Sequence, residues 1–317
     1  MNRLVERDGK VVDDADRAAV EGLLDDGGFF WLDLRQPTEE ELGLLRETFR
    51  FHPLAIEDSI EFGQRAKLEE YDDFVFLVVF GWAPDEDGLV EVHCFFSEEC
   101  LVTVRRDAAP AIDELLRRYR HGAELGPPIR VLYHVIDGLV DSFFRPLNEI
   151  DERIDAIQDG LLTNPSNAEL QELTSIRRRL VGLRRVVGPE RDMLGRVAGG
   201  VATLPGMSAE AERFFRDIYD HLIRLSETID GYRDLSSSAM DVYLSSSSNR
   251  LNEVMKQLTL VATIFLPLSF VTGYFGQNFA WLVRNVGGLG AFLVLGVILD
   301  LACVGALAVW FRRRGWV

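Results

Sequence analysis

The run LTLVATIFLPLSFVTGYF, at residues 258–275, decides the fold. It contains no charged residue, and as a helix it is about as long as the hydrocarbon core of a bilayer is thick. A second run, at 286–311, contains a single charged residue, Asp300. Two such runs in tandem predict two transmembrane helices, because a soluble protein seldom buries two core helices of this kind in succession.

Charge is divided unevenly along the rest of the sequence. The net charge is −17 over 317 residues, yet between residues 257 and 310 only Arg284 and Asp300 are charged. An acidic surface attracts cations, and it argues against a nucleic-acid partner, which would need clustered lysine and arginine. Solubility alone also accounts for surface acids, so net charge by itself assigns no site.

The basic residues next to the two apolar runs predict orientation. They lie before the first run and after the second: Arg250, Lys256, Arg312, Arg313 and Arg314. The positive-inside rule then places both termini in the cytosol. The first residues lack the apolar core of a secretory signal, and this agrees with a cytosolic N-terminus. We therefore expect a multi-pass protein of the plasma membrane, with an external loop at 276–285 and a cytosolic basic tail at 312–317.

Residues 1–207 mix strand-like and helix-like segments. Strands are predicted where valine and phenylalanine are enriched between turn residues, at 29–34, 74–82, 89–96 and 100–105. Apolar residues at helical spacing predict helices at 129–158 and 168–187. This pattern indicates a cytosolic α/β domain, with a mixed sheet flanked by helices and a helical hairpin at its end.

A long helix is predicted from Ser208 onward. No proline occurs before Pro267, and Gly231 is the only glycine before that proline. A helix of about 60 residues is about 90 Å long, too long for a small domain to enclose. We expect a cytosolic stalk at 208–257 that continues into the first transmembrane helix, so the membrane part is all-α.

One face of the first span carries small or weakly polar residues. They recur at three- and four-residue steps: Asn252, Met255, Thr259, Ala262, Leu266, Ser269 and Gly273. Two helices cannot enclose an aqueous path, so this stripe lines a pore only if several copies surround an axis. Small residues also favour close helix packing, and spacing alone leaves both interpretations open.

The first span ends in GYFGQNF at 273–279. Glycine lets a helix end sharply and expose its last carbonyls, and Asn278 adds a neutral amide oxygen. A ring of such oxygens suits the water shell of magnesium, which gives up its water reluctantly. An ordinary turn between two helices has the same composition.

The segment YFGQNF at 274–279 resembles the YGMNF signature of the CorA-type magnesium channels. Residues 248–259 and 264–268 are also similar to that family, as are HPLAIED at 52–58 and FRDIYDH at 215–221. The resemblance covers nearly the whole chain, with Gly-Gln-Asn in place of Gly-Met-Asn.

The resemblance implies a homopentamer whose stalk helices line a pore, embedded in lipid and closed by cytosolic divalent ions. The implied selectivity filter is Gly276, Gln277 and Asn278, and the family's constrictions add Leu258 to the pore-lining stripe. Mg²⁺ is then both the transported and the regulatory ion, and no resident cofactor is implied. The implied regulatory positions are Asp217 and Asp85.

Two departures leave other functions open. Gln277 replaces the usual methionine, and the loop after the signature carries Arg284 where an acid is common. A proton-coupled carrier of zinc, cobalt or nickel is therefore the alternative, and a non-conducting membrane sensor is a third. No Walker-type loop, nucleophile elbow or zinc-protease motif supports an enzyme. Asp300 is expected to be a structural aspartate between helices, and His221 to lie at a stalk interface.

Overall fold

The computed structural model describes residues 2–84, 88–163 and 166–316. The chain divides into two compact units, Met1–Met240 and Asp241–Val317. The first unit holds a sheet with its helices, and the second holds the apolar helices.

The first unit is built on a seven-stranded sheet of order β2-β1-β3-β7-β6-β5-β4. The strands are β1 Asn2–Val5, β2 Val11–Asp13, β3 Phe30–Arg35, β4 Lys67–Glu70, β5 Val75–Trp82, β6 Leu89–Phe96 and β7 Cys100–Arg105. β3 and β7 are parallel, and the other neighbours are antiparallel. The sheet is therefore mixed, as the sequence predicts, and four of its strands are those predicted.

The central strands are buried along almost their whole length. In β5, seven consecutive residues are buried, and all six residues of β7 are. Continuous burial means that both faces of these strands are covered, which explains why the sequence shows runs of valine and phenylalanine instead of alternation.

Seven α-helices of the described chain accompany the sheet before residue 200. They are α1 Arg17–Asp25, α2 Glu39–Gly43, α3 Pro53–Glu61, α4 Pro110–Arg120, α5 Pro128–Asp141, α6 Phe144–Thr163 and α7 Asn167–Ala198. A π-helical turn, Leu44–Thr48, follows α2. α2 and α7 each begin with a capping box, Thr38 with Glu41 and Ser166 with Glu169. Local sequence therefore determines where these two helices start.

The helix predicted at 129–158 is in fact two helices, α5 and α6. Ser142 lies between them, and its hydroxyl donates to the Leu139 carbonyl at 2.5 Å. The same hydroxyl accepts the backbone N–H of Trp82 in β5 at 2.6 Å. A serine that bonds backbone groups in this way competes with the helical ladder, and here it ties the break to the sheet.

A buried ion pair joins the two parallel strands. Arg105 on β7 and Asp33 on β3 are 0% and 1% exposed, and the Arg105 Nη2 lies 2.9 Å from the Asp33 Oδ2. Thr103 donates to the other oxygen of Asp33 at 2.9 Å, and Trp31 Nε1 donates to the Thr103 hydroxyl at 3.0 Å. Arg105 also reaches Asp113 of α4, again at 2.9 Å. The network therefore fastens α4 to the centre of the sheet.

Glu190 of α7 is completely buried beside β5. Its Oε1 accepts the backbone N–H of Phe80 at 3.1 Å, while its Oε2 has no hydrogen-bond partner among the described residues. β4 ends its pairing with β5 at Val78, so the carboxyl satisfies a backbone group beyond the end of that ladder. Burial raises the pKa of Glu190 to about 8, against an ordinary value of 4.5.

We predict that Glu190→Gln alters the pH dependence of stability. Between pH 4.5 and about 8 the folded protein holds a proton that the unfolded chain releases, so stability falls as pH rises through this window. An amide keeps the bond to Phe80 and does not titrate. The melting temperature of the variant in detergent, relative to that of the wild type, should therefore rise from acidic to alkaline pH. The relative change should be at least a few degrees across this window. A constant difference in melting temperature at every pH would contradict the assignment.

The second unit begins within the longest helix, α8 Ala209–Phe275. Ser208 accepts the N–H of Ala211 at 3.2 Å, which fixes the start of α8. After α8 come α9 Ala280–Asn285, α10 Leu289–Ala291, a π-helical segment Phe292–Ile298 and α11 Leu299–Arg313. The predicted stalk and first span are thus one continuous helix.

Two helical segments are long and apolar enough to cross a membrane, one in Ala209–Phe275 and one at Leu289–Arg313. Neither apolar window is buried by the rest of the chain, unlike the core helix of a soluble protein. The second begins three residues later than its predicted start because Gly288, with φ of +97°, precedes it. The architecture confirms the predicted class: a mixed sheet with helices, a long helix and two late apolar helices.

Candidate ion pathway and metal-binding cluster

The predicted stripe on the apolar part of α8 is uncovered within the subunit. All eight of its residues are exposed: Asn252, Met255, Leu258, Thr259, Ala262, Leu266, Ser269 and Gly273. Partly covered residues recur on the opposite side of the helix: Leu260, Ile264, Pro267, Val271 and Phe275. The stripe therefore does not pack against another helix of the same chain. Of the two interpretations, helix packing within one subunit is excluded for the described residues.

The stripe is only weakly polar. The Thr259 hydroxyl donates to the Met255 carbonyl at 2.7 Å, so part of its polarity is satisfied within the helix. Met255 and Leu266 are 53% and 72% exposed, and both present large apolar side chains on the same face. A ring of these side chains from several copies would form a narrow apolar constriction.

The residues of the predicted filter follow directly after α8. The N–H of Gly276 bonds the Thr272 carbonyl at 2.9 Å and closes the last turn. A Cβ added at Gly276 would lie 2.9 Å from that carbonyl oxygen, which is closer than side chains normally approach and explains the glycine. Gln277 and Asn278 are exposed, and together with residues of the following loop they line a cavity of about 380 Å³. Within the described part of the chain, no hydrogen bond holds the Asn278 amide.

A second group of polar residues lies in the first unit, where α5 meets α8. Asp137 and Asp141 are one turn apart on α5, and His221 lies on α8. Their ligand atoms all lie within 4.8 Å of one another. His221 Nδ1 is 3.0 Å from the Asp141 Oδ1, and its Nε2 is 4.0 Å from the Asp217 Oδ2. Carboxylate and imidazole groups at this spacing are able to bind a divalent ion.

The electrostatics of this cluster favour a cation. One oxygen of Asp137 is buried without a hydrogen-bond partner among the described residues. Burial, and then the negative charge of Asp141, raises the pKa of Asp137 to about 6. Burial and the nearby Asp137 likewise raise the pKa of Tyr133 to about 12. A divalent cation would offset these like charges and take the place of the proton.

The sequence found only part of this cluster. Asp217 was predicted and lies at its edge, whereas Asp137 and Asp141 were missed, although their four-residue spacing on a helix was visible. His221 was expected at a stalk interface, and its ligand partner lies 80 residues earlier in the chain, which no local pattern reveals. Asp85 lies outside the described residues. Asp300, on α11, has one buried oxygen without a partner among the described residues.

Comparisons with known proteins agree with this arrangement. The family model of the CorA-like Mg²⁺ transporter protein matches residues 26–313. The cobalt/magnesium transport protein CorA of Thermotoga maritima is 34% identical, over 86% of this chain and 78% of its own. The zinc transport protein ZntB of Pectobacterium carotovorum subsp. carotovorum is 29% identical, over 73% of this chain and 69% of its own.

A solved structure shares the fold over the full length. The CorA magnesium transporter from Methanocaldococcus jannaschii superposes with a TM-score of 0.84 at 22% identity, covering 100% of this chain and 99% of its own. The family model spans nearly all of the sequence, including both apolar helices. The chain therefore belongs to the CorA-like Mg²⁺ transporter family, a family of metal-ion transporters and not of enzymes.

Proposed function

We propose that the chain forms a channel for divalent cations, Mg²⁺ foremost, in the plasma membrane. The observation that carries the proposal is the uncovered stripe on α8, which ends at the exposed Gly276, Gln277 and Asn278. Several copies are needed to enclose a path, and we propose a homopentamer with both termini in the cytosol. Family membership supports transport, and the stripe supports a route through the axis.

The selectivity step acts on the hydrated ion. Glycine carbonyls and the Asn278 amide oxygen are neutral acceptors, and they bond the water shell without stripping it. Below them, Met255, Leu258 and Leu266 narrow the path with apolar side chains, which block ions by excluding water. Flow then follows the membrane potential when this constriction opens.

The cluster of Asp137, Asp141, His221 and Asp217 supplies the gate. A bound divalent ion joins α5 to α8 and offsets the repulsion between three carboxylates. When cytosolic Mg²⁺ falls and the ion leaves, the carboxylates repel one another and the helices separate. Mg²⁺ thus closes the pore that admits it.

A metal panel in proteoliposomes tests this function. Purified full-length protein is reconstituted, and uptake of Mg²⁺, Co²⁺, Ni²⁺ and Zn²⁺ is followed under an imposed membrane potential. The proposal predicts Mg²⁺ uptake that follows the potential and survives collapse of the proton gradient. A lack of uptake of every ion would leave only a non-conducting sensor.

A proton-coupled zinc carrier is the second candidate function. Gln277 at the centre of the signature and the similarity to a zinc transport protein favour it. In the same panel it predicts Zn²⁺ uptake that disappears when the proton gradient is collapsed. The two functions therefore give opposite results with a protonophore.

We predict that Asp141→Asn weakens inhibition by Mg²⁺ on the cytosolic side. The variant keeps the shape of the side chain and removes one charged ligand, so the half-inhibiting Mg²⁺ concentration should rise about tenfold, which is about 1.4 kcal/mol. Asp234→Asn is the matched control, because it removes the same charge from an exposed position on α8. Equal inhibition of Asp141→Asn and the wild type would exclude this cluster as the gate.

A further inference from the structure

A polar cavity lies between the end of α4 and the start of α5. It is separate from the cluster of Asp137, Asp141 and His221. Its volume is about 410 Å³, which is in the range of small-molecule sites. Its floor is apolar, from Leu115, Leu125 and Pro127, and Arg118, Arg130 and His134 line it as well.

The basic groups of this cavity lie near enough to interact electrostatically. The pKa of His134 lies below its usual value, first because of burial and then because of the charges of Arg130 and Arg118. Arg118 also acts on the hydroxyl of Tyr119, whose pKa burial raises. Both arginines therefore act electrostatically on the same small volume, and the positive potential there destabilises protonated His134.

Tyr119 contributes a hydroxyl group to the lining of the cavity. It is 6% exposed and lines the cavity. Its ring packs edge-on against Trp31, with the centroids 6.1 Å apart. Among the residues that the structure describes, none forms a hydrogen bond with the Tyr119 hydroxyl. Although the ring is buried, the hydroxyl oxygen remains accessible to solvent, so it is available to a molecule bound in the cavity.

The ion pairs inside the chain leave these arginines available. Arg118 meets Glu114 only at 3.8 Å and is 65% exposed, while Glu114 has a shorter contact with Arg117. Arg130 lies over the ring of Phe214, 5.5 Å from its centroid, so its position is set by an aromatic contact and not by a carboxylate. Among the described residues that line the cavity, Glu124 is the single acid beside two arginines.

We propose that this cavity binds a phosphate-bearing anion. Two guanidinium groups, an imidazole and a hydroxyl offer more donors than a planar carboxylate accepts, and a tetrahedral phosphoryl group accepts them on three oxygens. α5 begins here without a side-chain cap, so the positive end of its dipole adds to the attraction. The phosphoryl group belongs either to inorganic phosphate or to a nucleoside monophosphate whose base lies on the apolar floor.

Calorimetric titration of the full-length protein in detergent, at constant ionic strength, tests this site. The probes are inorganic phosphate and adenosine monophosphate. We expect at least one of them to bind with a dissociation constant near or below about 1 mM. Tighter binding of the nucleotide would show that the floor receives the base, and equal binding would identify phosphate alone as the ligand. No binding of either probe up to about 10 mM would overturn the proposal.

Three variants separate the cavity from general surface charge. Tyr119→Phe removes only the unbonded hydroxyl and should weaken binding about tenfold with no loss of thermal stability. Arg118→Gln should weaken it at least as much. Arg117→Gln is the matched control, since Arg117 is equally exposed, pairs with the same Glu114 and lies outside the cavity lining. If Arg117→Gln weakens binding as much as Arg118→Gln, or if Tyr119→Phe binds like the wild type, the site is wrong.

Discussion

Replacing Asn278 with alanine should reduce divalent-cation uptake to below about one hundredth of the wild-type rate. Each copy of the chain contributes one Asn278 amide to the proposed ring, so one substitution removes every member at once. A hydrogen bond of this kind contributes about 1 kcal/mol, and the loss multiplies over the subunits that hold a single ion. Uptake by reconstituted Asn278→Ala protein under an imposed potential is the measurement.

The structure offers a close control for this variant. Asn285 is an exposed asparagine in the same loop, and its amide donates to the Trp281 carbonyl at 3.0 Å, one turn earlier in α9. Asn285→Ala should therefore leave uptake nearly unchanged. The Asn278 amide makes no bond with the described part of its own chain, so Asn278→Ala should also melt at the wild-type temperature. Wild-type flux in Asn278→Ala would discard the filter assignment.

Asp33→Ala should produce the largest loss of stability. The substitution leaves the guanidinium of Arg105, which is fully buried, without its main partner, and it removes the acceptor of Thr103. Breaking a buried pair on one side costs about 3–5 kcal/mol, because the remaining charge stays in a poorly solvating environment. Thermal unfolding of the purified protein in detergent should show this as a large drop in melting temperature, with low yield of folded protein.

Asp13→Ala is the comparison for that variant. Asp13 pairs with Arg120 at the surface, where the two side chains are 44% and 45% exposed. An exposed pair contributes about 0–1 kcal/mol, so this variant should melt close to the wild type. Similar losses from Asp13→Ala and Asp33→Ala would mean that burial of the network does not determine its contribution.

The membrane part of the fold was predictable because charged side chains and unpaired backbone groups are costly in the core of a bilayer. A helix that crosses a bilayer needs a long uncharged run, and the segments at 258–275 and 286–311 show this without reference to any partner. The stripe on α8 was visible for a related reason, since helical spacing alone places its residues on one face. In the described chain this face is uncovered, as are the neighbouring Val261 and Phe265.

The helix ends in the first unit were less predictable, because tertiary contacts decide them. The break at Ser142 coincides with a hydrogen bond that its hydroxyl accepts from the Trp82 N–H of β5. α7 was expected to end at residue 187, before Gly188 and Pro189, and it continues to Ala198. Glu190 anchors this part of α7 to Phe80, so a contact with the sheet overrides a local breaking signal.

The candidate metal cluster was in part visible in the sequence and in part dependent on tertiary packing. Asp217 could be identified because it lies in a segment that resembles the family, and Asp137 and Asp141 could be placed on one helix face. Their approach to His221 depends on how α5 and α8 pack, and no sequence spacing encodes that contact. The residues of the proposed filter, by contrast, follow one another in the chain, so a local motif alone is the basis for proposing them.

The central claim is that the stripe on α8 lines the ion path. It is tested most directly by asking whether a thiol reagent in water reaches the stripe and stops ion flux. Cys303 is first replaced by alanine, and Ser269→Cys and Val271→Cys are then made separately. Ser269 is on the exposed stripe, and Val271 is on the partly covered face of the same helix. If the stripe lines the path, a charged, water-soluble thiol reagent should stop Mg²⁺ uptake by Ser269→Cys and leave Val271→Cys active. Unaltered uptake by treated Ser269→Cys, or equal loss in both variants, would contradict a path along this face.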